Sequence, residues 1–250
     1  MVAIVEGIKS SEVIKTLSRS PPKKRKIVKE VTTDMSNAMD KSITGSFPNA
    51  TLVTDRFHVQ QIVTDAVQEI RIALRKKAIR EENKAILRFK QRRKEGKVKG
   101  AYEPKTFESG DTKKQLLARS RYLLFKPQSK WTESQHSRSV ILFREFPELK
   151  HAYNLSMMLR SWYENNTNKP EAKEGLKRWY QKIEEEKIEP FPVAAETIKA
   201  YEDTILNYFN YRSTNASAES FNAKLKGFRT LVRGVRDVKF FFFRVAKLYG

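Results

Sequence analysis

The sequence predicts an α/β chain that is predominantly helical, with a small strand-containing core at its N-terminal end. Three observations predict it. β-branched runs alternate with helical patterns over the first 55 residues. Strand signals nearly vanish after Asp55. From there apolar residues recur at spacings of three and four, the period of a helix with one buried stripe. Alternating strands and helices are the pattern of a parallel sheet with crossover helices.

The elements follow in order. Val2–Val5 is a short β-branched run, and Ser10–Leu17 is helical with Val13, Ile14 and Leu17 on one side. Ser20-Pro21-Pro22 breaks that pattern. Ile27–Thr33 reads as a strand ending at Asp34, and Asn37–Ser46 as a short helix. After the turn Phe47-Pro48-Asn49, Ala50–Thr54 reads as a strand ending at Asp55. Val59, Ile62, Val63, Ala66, Val67, Ile70 and Leu74 form one stripe of a long helix. Gly96–Gly110 is a polar connection. Helices are expected near Lys113–Phe125, Glu133–Phe146, Lys150–Asn165, Pro170–Glu186, Ala194–Arg212, Ala216–Phe228 and Val238–Leu248.

Charge narrows the function. Fifty Lys and Arg against 29 Asp and Glu give a formal net charge of +21. A domain this basic meets a polyanion, because each phosphate contact releases counterions. Charge alone does not separate RNA, DNA and an anionic membrane surface. Almost half of the excess lies between Arg71 and Lys99, where 13 basic residues face three acidic ones. Cysteine is absent, which removes disulfides, zinc ribbons and thiol nucleophiles and suits a reducing cytoplasm. No apolar run approaches the roughly 18 residues of a membrane span. Met1–Ser11 is only briefly apolar and carries Glu6, unlike a signal peptide.

Two segments could carry chemistry. In Val31-Thr32-Thr33-Asp34-Met35-Ser36, a carboxylate stands at the C-terminal end of a parallel strand, where open α/β sheets place ligands. An aspartate there also serves as a helix N-cap, here for the helix at Asn37. The second segment runs from Arg212 to Lys226. At about 100° per residue, Ala218, Phe221, Leu225 and Phe228 fall on one side of the helix. Asn215, Glu219, Asn222 and Lys226 fall on the other. That polar stripe is either a solvated face or a place where Glu219 holds a divalent cation while Lys226 and Arg229 reach phosphates.

The segments "TTDMSNAM…FPNATLVTDRFHVQ" and "RSTNASAESFNAKLKGFR…GVRDVKFFFFRVAKLYG" resemble the two ends of a bacterial insertion-sequence transposase of the IS-L-three family. "FESGDTKKQLLARSRYLLFK" (Phe107–Lys126) resembles that family's insertion domain. The resemblance runs along essentially the whole chain. It implies a DDE catalytic domain of RNase H-like fold, α/β with a large all-α insertion. Residues 1–56 would be a partial core, 57–211 the helical insertion, and 212–250 the C-terminal core helices. Asp34 matches the second catalytic aspartate and Glu219 the catalytic glutamate, both ligands of Mg²⁺ or Mn²⁺. Asp55-Arg56-Phe57-His58 matches a D-x-x-H motif whose histidine lies near the active site, so Asp55 and His58, with Asn222, are supporting residues. From the residues themselves, Arg229, Arg233, Arg236 and Lys239, which follow Glu219, make with Lys226 either a phosphate track or a solvated charged face. Arg75, Lys76, Arg92 and Arg93 mark a second DNA-binding stretch. The implied partner is DNA, both transposon ends and target, in the bacterial cytoplasm at the nucleoid.

The family's first catalytic aspartate sits on the first core strand, upstream of a segment resembling Val2–Gly7, and Met1–Glu30 contains no aspartate. The expectation is therefore an N-terminally truncated, incomplete core. In the family's fold the strands run three-two-one-four-five. With Val2–Val5, Ile27–Thr33 and Ala50–Thr54 as the third, fourth and fifth, the two central strands are missing. Unpaired strand groups cost about 1–3 kcal/mol each when buried. A re-paired small sheet, with Val2–Val5 beside Ile27–Thr33, or poor stability is expected, together with an inactive isolated chain. Two readings compete. In one, Asp34 and Glu219 are structural in a non-catalytic nucleic-acid-binding protein. In the other, the helical insertion dimerises with an intact, full-length transposase and inhibits it; a homodimer is the alternative pairing.

Weaker features have structural readings. Pro21-Pro22-Lys23-Lys24-Arg25-Lys26 has the composition of a nuclear localisation signal but lies inside the βαβ unit as a basic connection. His136 and His151 have no metal-ligand spacing with His58. Trp131, Trp162 and Trp179 are expected to pack between helices rather than stack on bases.

Overall fold

The computed structural model describes residues 9–212, 216–232 and 237–249, without the side chains of residues 216–219 and 222. The strand expected at Val2–Val5 lies outside them. The chain folds as two units. One comprises the described residues of Met1–Val59, Thr167–Lys169 and Tyr201–Gly250; the other comprises Gln60–Asn166 and Pro170–Ala200.

The first unit opens with helix α1 (Ser10–Leu17), a short helix α2 (Pro22–Lys26), strand β1 (Glu30–Thr33), helix α3 (Asn37–Ser46) and strand β2 (Thr51–Thr54). The basic run after the proline pair is thus helical. Pro22 sits in its first turn, where a missing N–H costs nothing. Arg25 donates to the carbonyls of Ser20 and Ser46 and so ties α2 to the end of α3. Ile27 closes α2 and is 75% exposed, which is why β1 begins at Glu30, three residues later than expected. α1 packs on α3 through Ile14 and Gly45: a Cβ at Gly45 would lie 3.0 Å from Ile14 Cδ1. Ser10 Oγ donates to Ala38 O on the same helix.

β1 and β2 pair in parallel, with Thr33 opposite Thr54, and α3 is the crossover between them. This is the only sheet among the described residues. The segment expected as one helix from Ala194 to Arg212 is three: α9 (Phe191–Ala200), α10 (Glu202–Leu206) and α11 (Tyr208–Tyr211). α10 and α11 belong to the first unit. There Asn207 Nδ2 donates to Leu52 O, and the hydroxyls of Thr54 and Thr204 are 2.7 Å apart. The chain ends in α12 (Ala216–Leu231) and α13 (Val238–Tyr249), joined by ring contacts of Phe228 with Phe241 and Tyr249.

α4 (Arg56–Lys94) starts directly after β2 and runs for 39 residues. Its apolar stripe ends near Ala78. Beyond that point it continues on strong helix formers, Lys, Arg, Glu and Ala, with largely exposed side chains. The second unit continues with α5 (Lys113–Arg119), α6 (Glu133–Glu145), α7 (Pro147–Asn165), α8 (Lys169–Glu186) and α9. Capping boxes at Thr112–Gln115 and Thr132–Gln135 start α5 and α6. All three tryptophans are buried in this unit, and each indole N–H meets a carbonyl. Trp131 donates to Leu123, Trp162 to Ala172 and Trp179 to Leu155. They are core residues with their polar edge already bonded. No helix among the described residues is long and apolar enough to cross a membrane.

Candidate functional site

The register of the sheet builds the site. Because Thr33 pairs with Thr54, the next residues, Asp34 and Asp55, leave the C-terminal ends of adjacent strands side by side. They do different things. Asp55 is 3% exposed and caps α4: its Oδ1 accepts from Phe57 N–H at 3.2 Å. Its Oδ2 is buried with no hydrogen-bond partner, and His58 Nε2 stands 3.9 Å away. The side chain of His58 is itself partly open to solvent, with Phe57 edge-on beside its ring. Asp34 is exposed, and its Oδ1 accepts from the hydroxyl of the buried Thr33. It does not cap α3, whose N-cap position is Ser36.

A third carboxylate belongs to this end of the sheet. Asp40 lies in the first turn of α3, and its proton is held more tightly than an ordinary carboxylate's, first through burial and then through the negative charge of Asp34. Sequence reasoning passed over it because an acidic residue in a first helical turn already has a reason, the helix dipole. Its place six residues after Asp34 was the available signal. Among the described residues no three His, Cys, Asp or Glu side chains are gathered as a cation cage.

α12 carries Glu219 and Asn222, but the side chains of both lie outside what is described, as do Arg233 and Arg236. The rest of the helix divides as the spacing predicts. Phe228 is buried, Phe221 and Leu225 are half-buried, and Lys226 and Arg229 are exposed. Arg75, Lys76, Arg92 and Arg93 are all exposed on α4. At a rise of about 1.5 Å per residue, the two pairs stand roughly 25 Å apart along one rod.

No curated protein and no solved structure matches the chain. The family model for transposases of the DDE, IS-L-three type matches residues 1–245. That match covers both strand-end aspartates, the long basic helix and the helix of Glu219. The chain belongs to the IS-L-three family of DDE transposases.

Proposed function

We propose that this transposase holds its divalent cations, Mg²⁺ or Mn²⁺, with Asp34 and Glu219 as two of the carboxylate ligands, at the C-terminal end of β1. One observation carries the reading: Asp34 and Asp55 emerge side by side from the ends of two parallel strands, in a chain matched by a DDE family along nearly its whole length. The residues fit a cation. Asp34 is exposed, Asp40 is disfavoured as an anion partly by Asp34, and a buried Asp55 oxygen has no donor. Bound there, the ions supply activation of the attacking oxygen and stabilisation of the leaving one.

The protein's own residues position the substrate. Asp55 fixes the first turn of α4, which places His58, three residues on, beside the strand ends. Lys226 and Arg229, with Arg233 and Arg236 later in the sequence, serve as the phosphate track, and Asn222 is a supporting residue beside Glu219. Arg75, Lys76, Arg92 and Arg93 make a second set of backbone contacts. The helical unit is the insertion between the last core strand and the glutamate helix. The substrate is DNA, transposon end and target, met at the bacterial nucleoid. Asp34 and Glu219 are the two carboxylates that this reading assigns to the cations.

Mn²⁺ binding followed by electron paramagnetic resonance tests the reading. Asp34→Asn and Glu219→Gln should each weaken Mn²⁺ binding while leaving affinity for a DNA duplex unchanged. Wild-type Mn²⁺ binding in both variants would remove these residues from the site.

A further inference from the structure

Arg71 is a charged side chain in a place where charges are costly. It is 7% exposed, on the face of α4 that meets α5. Its Nε donates to Gln68 Oε1 at 2.7 Å and its Nη1 to Leu117 O at 3.0 Å, in the last turn of α5. Both partners are neutral, and Nη2 has no hydrogen bond among the described residues. A buried cation ordinarily pairs with an anion. The charges that bear on Arg71 are instead Arg121 and Arg75; burial first, then these two, pull its guanidinium below the ordinary arginine value.

Their placement follows from the helices. Arg75 is one turn beyond Arg71 on the same face of α4, at the i, i+4 spacing that makes side chains neighbours. Arg121 follows α5 by two residues, four beyond the carbonyl to which Arg71 is bonded. Lys113–Glu81 and Lys114–Glu82 ion pairs, at 3.4 and 2.7 Å, fix the other end of α5 against α4. So acids and bases match at one end of this helix pair and three guanidiniums crowd at the other. Arg75 and Arg121 are exposed, which leaves the cluster open to a ligand. Gln68 adds a second observation. Its Oε1 is taken by Arg71, so the amide end is Nε2; that nitrogen is buried and unbonded in a residue 8% exposed. The cluster is rich in donors and lacks an acceptor.

We propose that Arg71, Arg75 and Arg121 form a phosphate-binding site on the α4–α5 pair, with Gln68 holding the Arg71 fork, and that its ligand is a phosphodiester of the DNA backbone. The inference rests on the DNA-binding reading only for the source of the phosphate. The planar guanidinium fork of Arg71 offers one fixed donor, and the two exposed arginines close over the anion, Arg75 from α4 and Arg121 from the turn after α5.

The test uses the full chain and a double variant of the two exposed arginines, Arg75→Gln with Arg121→Gln, which leaves the buried Arg71 bonds in place. Thermal melting is measured in sodium phosphate and in chloride at equal ionic strength, and duplex binding is measured across salt. Phosphate should raise the melting temperature of the wild type and not of the variant. In chloride the variant should melt above the wild type, because a like-charge repulsion is gone. Its plot of log affinity against log salt should flatten by about two, with roughly tenfold weaker duplex binding at low salt. Loss of the phosphate effect together with the flattened slope assigns the site to DNA backbone. Loss of the phosphate effect with an unchanged slope keeps the site and assigns it to free phosphate. A wild type that binds no duplex at all would instead count against the DNA reading. Phosphate acting no better than chloride, or equally on both proteins, overturns the proposal.

Discussion

Thr33 and Thr54 are partners across the parallel strands, and each is followed by an aspartate with a different task. Asp55 is buried and structural on one oxygen, unbonded on the other. Asp34 is exposed and leaves the capping of α3 to the chain beyond it. The register sets these two aspartates side by side at the strand ends. Asp55 anchors the start of α4, and Asp34 is the one open to solvent.

The two oxygens of Asp55 can be separated by substitution. Asp55→Ala removes the acceptor that caps α4 and should cost about 1 kcal/mol in urea unfolding. Asp55→Asn keeps an oxygen for Phe57 N–H and should cost clearly less. Equal losses in the two variants would mean that capping is not what Asp55 contributes.

Asp40 makes stability depend on pH in a definite direction. Its folded value is raised by burial and then by Asp34. A raised carboxylate favours the folded state fully below the ordinary carboxylate range, and that advantage is lost as pH rises through the folded value. At neutral pH the charged Asp40 thus weighs against folding. Asp40→Asn should raise the melting temperature at pH 7 and leave it nearly unchanged at pH 3. A variant that melts lower than the wild type at pH 7 would contradict this account.

The elements that the sequence displays best are those whose burial pattern is local. The bounds of α1 and α3 follow from their spacing, and β2 begins one residue later than its β-branched run suggests. Where the pattern failed, a long-range contact or an exposed segment decided. The breaks around Tyr201 and Asn207 depend on bonds to β2 that no local spacing reveals. α4 outlasts its apolar stripe because its second half needs only helix propensity. At the site, Asp34 and Asp55 stood out as strand-end carboxylates. Asp40 and the Arg71 cluster did not, since both are defined by which charges the fold brings near them.

The exposed end of α4 offers a clean electrostatic experiment. Arg92 and Arg93 are exposed and make no ion pair among the described residues, while Lys97 pairs with Glu95 close by. Replacing both by Gln should change unfolding free energy by less than about 0.5 kcal/mol. If they contact phosphates, the salt dependence of duplex binding should flatten by about two, equally for all sequences. An unchanged slope would leave them as a solvated face.

Gly175 tests how tightly the helical unit is packed. Glycine inside a helix ordinarily costs about 1 kcal/mol relative to alanine, so Gly175→Ala would be stabilising on propensity alone. Here the added Cβ would stand 2.7 Å from Trp162 Cδ1 and 3.0 Å from its Nε1. Trp162 is 5% exposed and donates its indole N–H to Ala172 O at 2.7 Å. It can give way only by weakening that bond and disturbing its own packing. Overpacking of this kind costs about 1–3 kcal/mol, and a buried hydrogen bond lost adds about 1 kcal/mol. These outweigh the propensity gain, so Gly175→Ala should lower the urea midpoint and shift the tryptophan emission of this unit. Adding Trp162→Phe, which frees the space, should make the alanine less costly than it is beside tryptophan. A more stable Gly175→Ala single variant would show that α7 and α8 separate easily at this point, and that the close approach of Trp162 to Gly175 contributes little to holding them.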